Sequence, residues 1–146
     1  WAFGQTSGTR LAARLQLGTL DGGAINTLPP DWLFFSGGAD TVRGQGYQSL
    51  GAMQGGVLTG GRSFFGTSVE LRQDLFGNFG AVLFADTGYV SSGPYWDAGG
   101  SWHSGAGIGV RYDTPVGPIR LDLATPVSGD GVGEDLYFYI GIGQAF

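Results

Sequence analysis

The last eleven residues, 136–146, alternate between two kinds of side chain. One set is mostly leucine, isoleucine and phenylalanine, and the other consists of tyrosine, glycine and alanine. Because successive side chains of a β-strand point to opposite faces, this alternation predicts a strand. Its length fits the about 9–11 residues that a tilted transmembrane strand needs. A soluble strand with one wet face can share the pattern, so the remaining segments must decide between the two classes.

Six segments alternate in this way, and together they predict an all-β, antiparallel fold. The predicted strands span residues 9–19, 62–76, 79–90, 104–114, 119–127 and 136–146. In five of them the charged residues fall on the face opposite the aliphatic stripe. Tight turns alternate with longer loops, as in outer-membrane barrels. The polar faces carry few charges and no lysine, which favours a transmembrane β-barrel over a soluble β-sandwich.

The composition supports the same class. The 146 residues include 30 glycines and 14% aromatic residues but only 13% charged residues, whereas ordinary domains have about 25% charged residues. The chain has no run of about 18 apolar residues, so no transmembrane helix is predicted. All seven basic residues are scattered arginines, and without a basic patch nucleic acid is not an expected partner. The absence of cysteine excludes disulfides and thiolate metal sites, and no metal or cofactor is expected.

The long connection between the first two strands, residues 20–59, contains the motif V-R-G-Q-G-Y at residues 42–47. Arg43 is the charged residue at its centre, and an arginine in a loop that folds inward needs carboxylate partners. Glu70 and Asp86 fall on the predicted polar faces of the next two strands and could supply them. The alternative is a solvated arginine on an exposed loop.

Three features carry a family resemblance: the arginine-glycine motif, F-A-D-T-G at residues 84–88, and the aromatic-ended last strand. Together they resemble the outer-membrane assembly and translocation barrels of the BamA/TamA type, also called the bacterial surface antigen family. The stretches L-P-P-D-W-L-F-F-S-G-G-A-D-T-V-R-G, T-P-V-G-P-I-R-L-D-L-A-T-P-V and Y-F-Y-I-G-I-G are more similar to TamA than to BamA. The family usually has an aromatic residue directly after the arginine-glycine pair, whereas here Gln45 and Gly46 precede Tyr47. The tip of the loop is therefore expected to have a different conformation from the tip in other family members.

The resemblance implies a barrel of about sixteen strands, with residues 1–146 as its C-terminal six strands and residues 20–59 as a loop that folds into the lumen. The implied loop residues are Val42, Arg43, Gly44 and Tyr47, and their implied lumen partners are Glu70 and Asp86. The outer row of the last strand would be the terminal signal by which such barrels are recognised and closed: Leu136, Phe138, Ile140, Ile142 and Phe146.

The implied function is assembly of other β-proteins into the bacterial outer membrane, or their translocation across it, by strand pairing at the barrel seam and without enzymatic chemistry. The implied partners are outer-membrane lipid, client β-proteins and a subunit that spans the periplasm. Six strands alone leave open edges in lipid, where unpaired backbone groups cost several kcal/mol each. The 146 residues by themselves are therefore expected to associate with one another.

Other functions stay open on the residues alone. A passive outer-membrane pore or transporter barrel is the main alternative. A barrel hydrolase could be assembled from His103 with Ser101 or Ser104 and Asp97, although no nucleophile elbow is present. Asp130, Glu134 and Asp135 could bind calcium weakly, but they lack EF-hand spacing. The inward-facing charges are expected to form a network of mixed sign: Arg72, Asp74, Arg111, Asp113, Arg120 and Asp122.

Overall fold

A computed structural model describes the backbone of residues 2–6, 8–96, 99–129 and 131–146, and the side chains from residue 8 onward in these ranges. Asp97 and Asp130, named above as candidates, lie outside the described residues. The fold is all-β and antiparallel, as the alternation predicted. Its strands are β1 Ala2–Thr6, β2 Thr9–Thr19, β3 Met53–Gln54, β4 Val57–Leu58, β5 Ser63–Asp74, β6 Phe79–Ser91, β7 Gly100–Tyr112, β8 Ile119–Ser128 and β9 Tyr137–Ile142.

The main sheet has seven strands in the order β1-β2-β5-β6-β7-β8-β9, and every neighbouring pair is antiparallel. All six predicted strands are present in it. The seventh, β1, was not predicted, because its sequence A-F-G-Q-T is short and carries a single large apolar residue. Among the described residues, β1 and β9 each pair with one neighbour, so they form the two edges of the sheet.

The long connection between β2 and β5 leaves the sheet and returns. It contains two single-turn 3-10 helices, Ile25–Thr27 and Pro30–Trp32, and the separate hairpin β3-β4. Two isolated bridges, between Phe34 and Gly61 and between Ser36 and Leu50, fasten it internally. No helix among the described residues is long and apolar enough to cross a membrane.

The two faces of the main sheet differ in burial as the alternation predicted. The inner face, against which the long connection packs, carries buried residues such as Glu70, Phe84 and Asp122. The outer face exposes an aliphatic row on each of β5 to β9, for example Leu71 and Leu83. This pattern of apolar outside and polar inside is the one a membrane barrel requires. The buried apolar cluster on the inner face is small, and it consists of Val82, Phe84 and Ala124 with Tyr139 packed against them.

The last strand is shorter than predicted. β9 ends at Ile142, because Gly143 has a left-handed φ of 96°, which breaks the alternation. The prediction that Phe146 continues the outer row is therefore wrong. Its ring lies on the inner side, 5.0 Å from the guanidinium carbon of Arg14 and 5.4 Å from that of Arg72.

Candidate functional site

The arginine-glycine motif lies against the inner face of the sheet. Val42 and Arg43 are buried there, with 0% and 2% of their surfaces exposed. A tight turn brings them there: the Gly38 N–H donates hydrogen bonds to the carbonyls of Val42 and Gln45, each at 3.1 Å. Gly44 has a φ of +88°, a conformation that glycine adopts without steric cost. The loop tip thus lies against the inner face of the sheet, on the side towards which the family resemblance implied that it would fold.

The structure brings Arg43 and Asp86 together in a two-pronged contact. The Arg43 Nε lies 2.7 Å from Asp86 Oδ2, and Nη2 lies 3.0 Å from Oδ1. The backbone N–H of Arg43 also donates to Oδ2, at 3.1 Å. This bidentate geometry is the strongest form of arginine-carboxylate pairing. It holds both the side chain and the backbone of the loop tip against β6.

Two further carboxylates contact the same guanidinium. Arg43 Nη1 lies 2.7 Å from Glu70 Oε1, the partner predicted on β5, and 3.3 Å from Asp122 Oδ2 on β8. The guanidinium carbon is 3.6 Å from the centre of the Phe84 ring, which is a cation–π contact. The sequence analysis missed Asp122 and Phe84 as loop partners. The inward parity of Asp122 was predicted, but its distance from Arg43 cannot be inferred without the sheet order and curvature.

The acids around Arg43 are shared with two other arginines. Arg72 Nε lies 2.8 Å from Glu70 Oε2, and Arg111 Nη1 lies 2.5 Å from Asp122 Oδ1. We call Arg43, Arg72, Arg111, Glu70, Asp86 and Asp122 the arginine cluster. Its three positive and three negative formal charges balance. Burial by itself would lower the pKa of Arg43, but the hydrogen bonds and charges of Asp86 and Glu70 outweigh burial and raise it. Arg43 is therefore a fixed cation.

Glycines in the sheet make room for the loop. A Cβ atom on Gly105 of β7 would lie 1.8 Å from the carbonyl oxygen of Arg43. Likewise a Cβ on Gly44 would lie 2.5 Å from the carbonyl oxygen of Thr125 on β8. Real Cβ contacts are never that short, so a side chain at either position would push the loop away from the wall. The inner-facing glycine of β7 is thus part of the binding surface for the loop.

Neutral side chains complete the attachment. The Gln45 Nε2 donates to the carbonyls of Ser104 and Ser128, at 3.2 and 2.9 Å. The Tyr139 hydroxyl accepts a hydrogen bond from the Gly44 N–H at 3.1 Å and donates to the Gln45 carbonyl at 3.3 Å. The sequence analysis assigned neither residue a role. The motif residue Tyr47, in contrast, is 78% exposed. The buried part of the tip therefore ends at Gln45.

The lumen charges outside the arginine cluster do not form one continuous network. Asp74 pairs with Arg10 at 2.7 Å, on an exposed part of the sheet. The backbone of Asp113 accepts a hydrogen bond from Asn78, and its side chain has no ion pair within the described part of the chain. Arg120 likewise forms no ion pair there, and its Nε and Nη1 are buried without hydrogen-bond partners.

Two described candidates for the alternative hydrolase, His103 and Ser104, are not brought together. His103 is buried on the inner side near Gly88 and Val42. The Ser104 hydroxyl is hydrogen-bonded to that of Ser128 at 2.7 Å. Ser104 and His103 are adjacent in β7 and so point to opposite faces. No group of three or more His, Cys, Asp or Glu residues suited to a metal ion occurs among the residues that the structure describes.

The closing strand keeps most of its predicted outer row. Leu136, Phe138, Ile140 and Ile142 are all exposed on the outer face, with fractions from 65% to 75%. Phe146 is the member that turns inward. On the inner face of β9, Tyr139 contacts the loop and Gly141 is covered by the side chain of Arg120.

Comparison with known proteins agrees with this combination of sheet and inward loop. Two relatives are the chloroplastic outer envelope protein 80 of Oryza sativa subsp. japonica, 35% identical over 120 residues, and that of Arabidopsis thaliana, 33% identical over 120 residues. Each alignment covers 77% of this chain, but only 17% of the rice protein and 15% of the Arabidopsis protein. The family model described as the Omp85 superfamily domain matches residues 1–146. This chain, with its antiparallel sheet and buried arginine loop, therefore belongs to the Omp85 superfamily.

Proposed function

We propose that the protein containing this chain assembles β-proteins into an outer membrane or translocates polypeptides across it. The observation that carries the proposal is the attachment of Arg43 to carboxylates from three different strands, β5, β6 and β8. Membership of the Omp85 superfamily supports the same function.

In the proposed mechanism the loop stays attached to the sheet, whereas the edge of β9 changes its strand partner. The arginine cluster and the hydrogen bonds of Gln45 and Tyr139 hold the loop to the middle of the sheet. The edge of β9 has no strand partner among the described residues. A client strand can add to such an edge through main-chain hydrogen bonds, which supply binding energy without covalent chemistry. We therefore propose a function that requires no enzymatic turnover.

The proposal extends to the location and subtype. The sequence motifs favour a TamA-like protein of the bacterial outer membrane, with lipid, client β-proteins and a periplasm-spanning subunit as partners. The two relatives carry the name of a chloroplastic outer envelope protein. The bacterial assignment and the names of the relatives both indicate an outer membrane. The more specific part of the proposal is that this membrane is bacterial and that the protein is TamA-like.

The test is reconstitution of the full-length protein in lipid vesicles with an unfolded small outer-membrane β-barrel as the client. We expect the wild-type protein to speed client insertion and Arg43→Ala to abolish most of that effect. Arg10→Ala is the matched control, because Arg10 forms an ion pair with Asp74 that is exposed. Equal insertion by vesicles with wild-type protein and by empty vesicles would rule out the assembly function. Steady ion conductance that is unchanged in Arg43→Ala would favour the passive pore instead.

A further inference from the structure

The outer face of the main sheet has a groove of about 280 Å³ that runs across the strands from β5 to β8. Both of these strands are paired on their far sides, β5 with β2 and β8 with β9. The groove therefore lies inside the sheet and owes nothing to a sheet edge. Its floor consists of four short side chains on the two central strands: Ala85, Thr87, Ser104 and Ala106.

Larger side chains close the groove at both ends. At one end Tyr89 and Trp102 are in register, with ring centroids 5.0 Å apart, and Phe65 contacts the Trp102 ring at 5.7 Å. At the other end Leu83 and Ile108 are in register, and they are 58% and 60% exposed. The depression therefore has a definite length along the strands, between an aromatic end and an aliphatic end.

The hydroxyl groups of the floor are bonded within the wall. The Thr87 hydroxyl donates to the carbonyl of His103 at 3.1 Å, and the Ser104 and Ser128 hydroxyls are hydrogen-bonded to each other at 2.7 Å. The floor consequently offers a ligand mainly methyl and methylene groups. A polar ligand would lose its bonds to water there without replacement, so the groove selects an apolar occupant.

The position of the groove on the strands indicates what surrounds it. A second aromatic pair, Phe79 and Tyr112, lies at the opposite ends of β6 and β7 with ring centroids 4.8 Å apart. At about 3.3 Å per residue, the strand from Phe79 to Tyr89 is about 33 Å long, which is about 25 Å across a bilayer at the usual strand tilt. Aromatic residues at both ends of an apolar band of this height are typical of the two membrane interfaces. The groove thus lies in the apolar band, directly beside one interface.

We propose that this groove binds one acyl chain of a membrane lipid. This inference rests on the membrane location within the proposed function, but not on the assembly activity. A flexible hydrocarbon chain can follow the depression and contact its floor, whereas a gap between lipid and wall would forfeit those dispersion contacts. The uncharged lining gives a lipid head group no partner, so the head group remains at the interface beyond Tyr89 and Trp102.

The same part of the wall holds the loop on its inner side. Asp86 and Gly105 also border the groove through their place in β6 and β7. Their inner sides contact Arg43: the Asp86 carboxylate binds its guanidinium, and a Cβ on Gly105 would lie 1.8 Å from its carbonyl oxygen. The bound chain therefore packs against the outside of the wall at the point where the loop is attached inside.

The test is photo-crosslinking of the full-length protein in vesicles of phosphatidylcholine that carries a diazirine on one acyl chain. Mass spectrometry then locates the labelled residues. We expect labelling of Ala85 and Ala106 to exceed that of Ala81 and Val110, an in-register pair on the same outer face, by about fivefold. Ala85→Leu fills the groove and should remove the excess. Ala81→Leu is the matched control, on the same strand and face but outside the groove, and should leave the excess unchanged.

The outcomes distinguish the possible failures. Equal labelling of the two alanine sites in the wild-type protein, or an excess that survives Ala85→Leu, would overturn the acyl-chain site and leave the membrane location intact. No lipid label anywhere on the outer face would contradict the membrane location itself. Client insertion, measured in the same vesicles, tests the assembly activity separately.

A second variant identifies a protein occupant. The 146 residues contain no cysteine, so Ala106→Cys introduces one thiol into the floor. A disulfide-linked dimer formed by this variant on mild oxidation would show that a second copy of the protein covers the groove, and the proposal would be wrong. We expect a monomer whose thiol is labelled by the lipid probe. Equal protease protection of the variants in the vesicles checks that each of them is folded.

Discussion

Two arginines on the same inner face have opposite surroundings. Arg43 has three carboxylates and an aromatic ring around its guanidinium. Arg120 forms no ion pair with a carboxylate of the described residues and lies over the backbone of β9. The first is a satisfied charge that fastens a loop to several strands. The second has no ion-pair partner among the described residues and lies beside the last strand, β9. The comparison separates a charge that holds the loop from a charge that has no such role among the described residues.

The largest effect should come from removing the satisfied arginine. Arg43→Ala leaves Glu70, Asp86 and Asp122 buried with two arginines between them. Breaking a buried ion pair by removing one partner typically costs about 3–5 kcal/mol. We expect a loss of that size in the free energy of unfolding, measured by urea denaturation of the full-length protein in lipid vesicles.

The control for this variant is Arg10→Ala. Exposed ion pairs contribute about 0–1 kcal/mol, and Arg10 and Asp74 are both largely exposed. A double-mutant cycle of Arg43→Ala with Asp86→Asn should give a coupling energy well above that range. A coupling near zero would mean that Asp86 does not hold the loop.

The sequence predicted some residues of this site and missed others, depending on whether a residue carries a charge and on whether its place follows from strand parity. Strand parity suggested Asp86 and Glu70 as possible partners of Arg43, but the residues alone left an exposed arginine open, and the family resemblance implied the inward loop. Asp122 shared the inward parity, but its distance from Arg43 depends on the sheet order, which the sequence does not fix. Gln45 and Tyr139 carry no charge to suggest a partner, and they were missed as anchors.

The errors at the end of the chain have a single physical cause. Strict alternation places Phe146 on the outer face, but one glycine in a left-handed conformation, Gly143, is enough to turn it inward. Tyr47 was assigned to the loop motif from the family resemblance. It lies after the turn that buries the loop tip, and it is exposed. Alternation predicted strands and faces well wherever the strand was continuous.

The second largest effect should come from filling the space that the loop needs. In Gly105→Ala the new methyl group would lie 1.8 Å from the Arg43 carbonyl oxygen, so the loop tip must move. Overpacking of this kind typically costs about 1–3 kcal/mol, and we expect the upper part of that range because the obstacle is backbone. Protease cleavage within residues 42–47 should become faster in the variant.

Gly80→Ala is the matched control in a neighbouring strand. Its Cβ would lie 3.3 Å from the nearest backbone oxygen, that of Gln73, and this contact can relax by a small shift. We expect unchanged protection of the loop and stability within about 0.5 kcal/mol of wild type. If both glycine variants expose the loop equally, the fit between Gly105 and the loop is not specific.

A smaller effect is expected from the neutral anchor on β9. Tyr139→Phe removes a hydroxyl that bonds the Gly44 N–H and the Gln45 carbonyl at 3.1 and 3.3 Å. A neutral hydrogen bond is worth about 1 kcal/mol, so we expect a loss of about 1–2 kcal/mol with the loop still buried. Tyr137→Phe serves as the control. A loss as large as that of Arg43→Ala would mean that β9, and not the arginine cluster, is the main attachment of the loop.

The smallest effect on stability should come from Arg120. Arg120→Gln removes a charge that has no carboxylate partner in the described residues and relieves its repulsion with Arg111, which lies in register. Because the substitution leaves no carboxylate of the described residues without its ion-pair partner, the free energy of unfolding should change by no more than about 0.5 kcal/mol or increase slightly. A strong destabilisation in the same urea assay would show that Arg120 already has a structural partner elsewhere in the full-length protein, and the contrast with Arg43 would disappear. A neutral result would show that the charge of Arg120 contributes little to the fold, because a charge without an ion-pair partner leaves no buried carboxylate unpaired when it is removed.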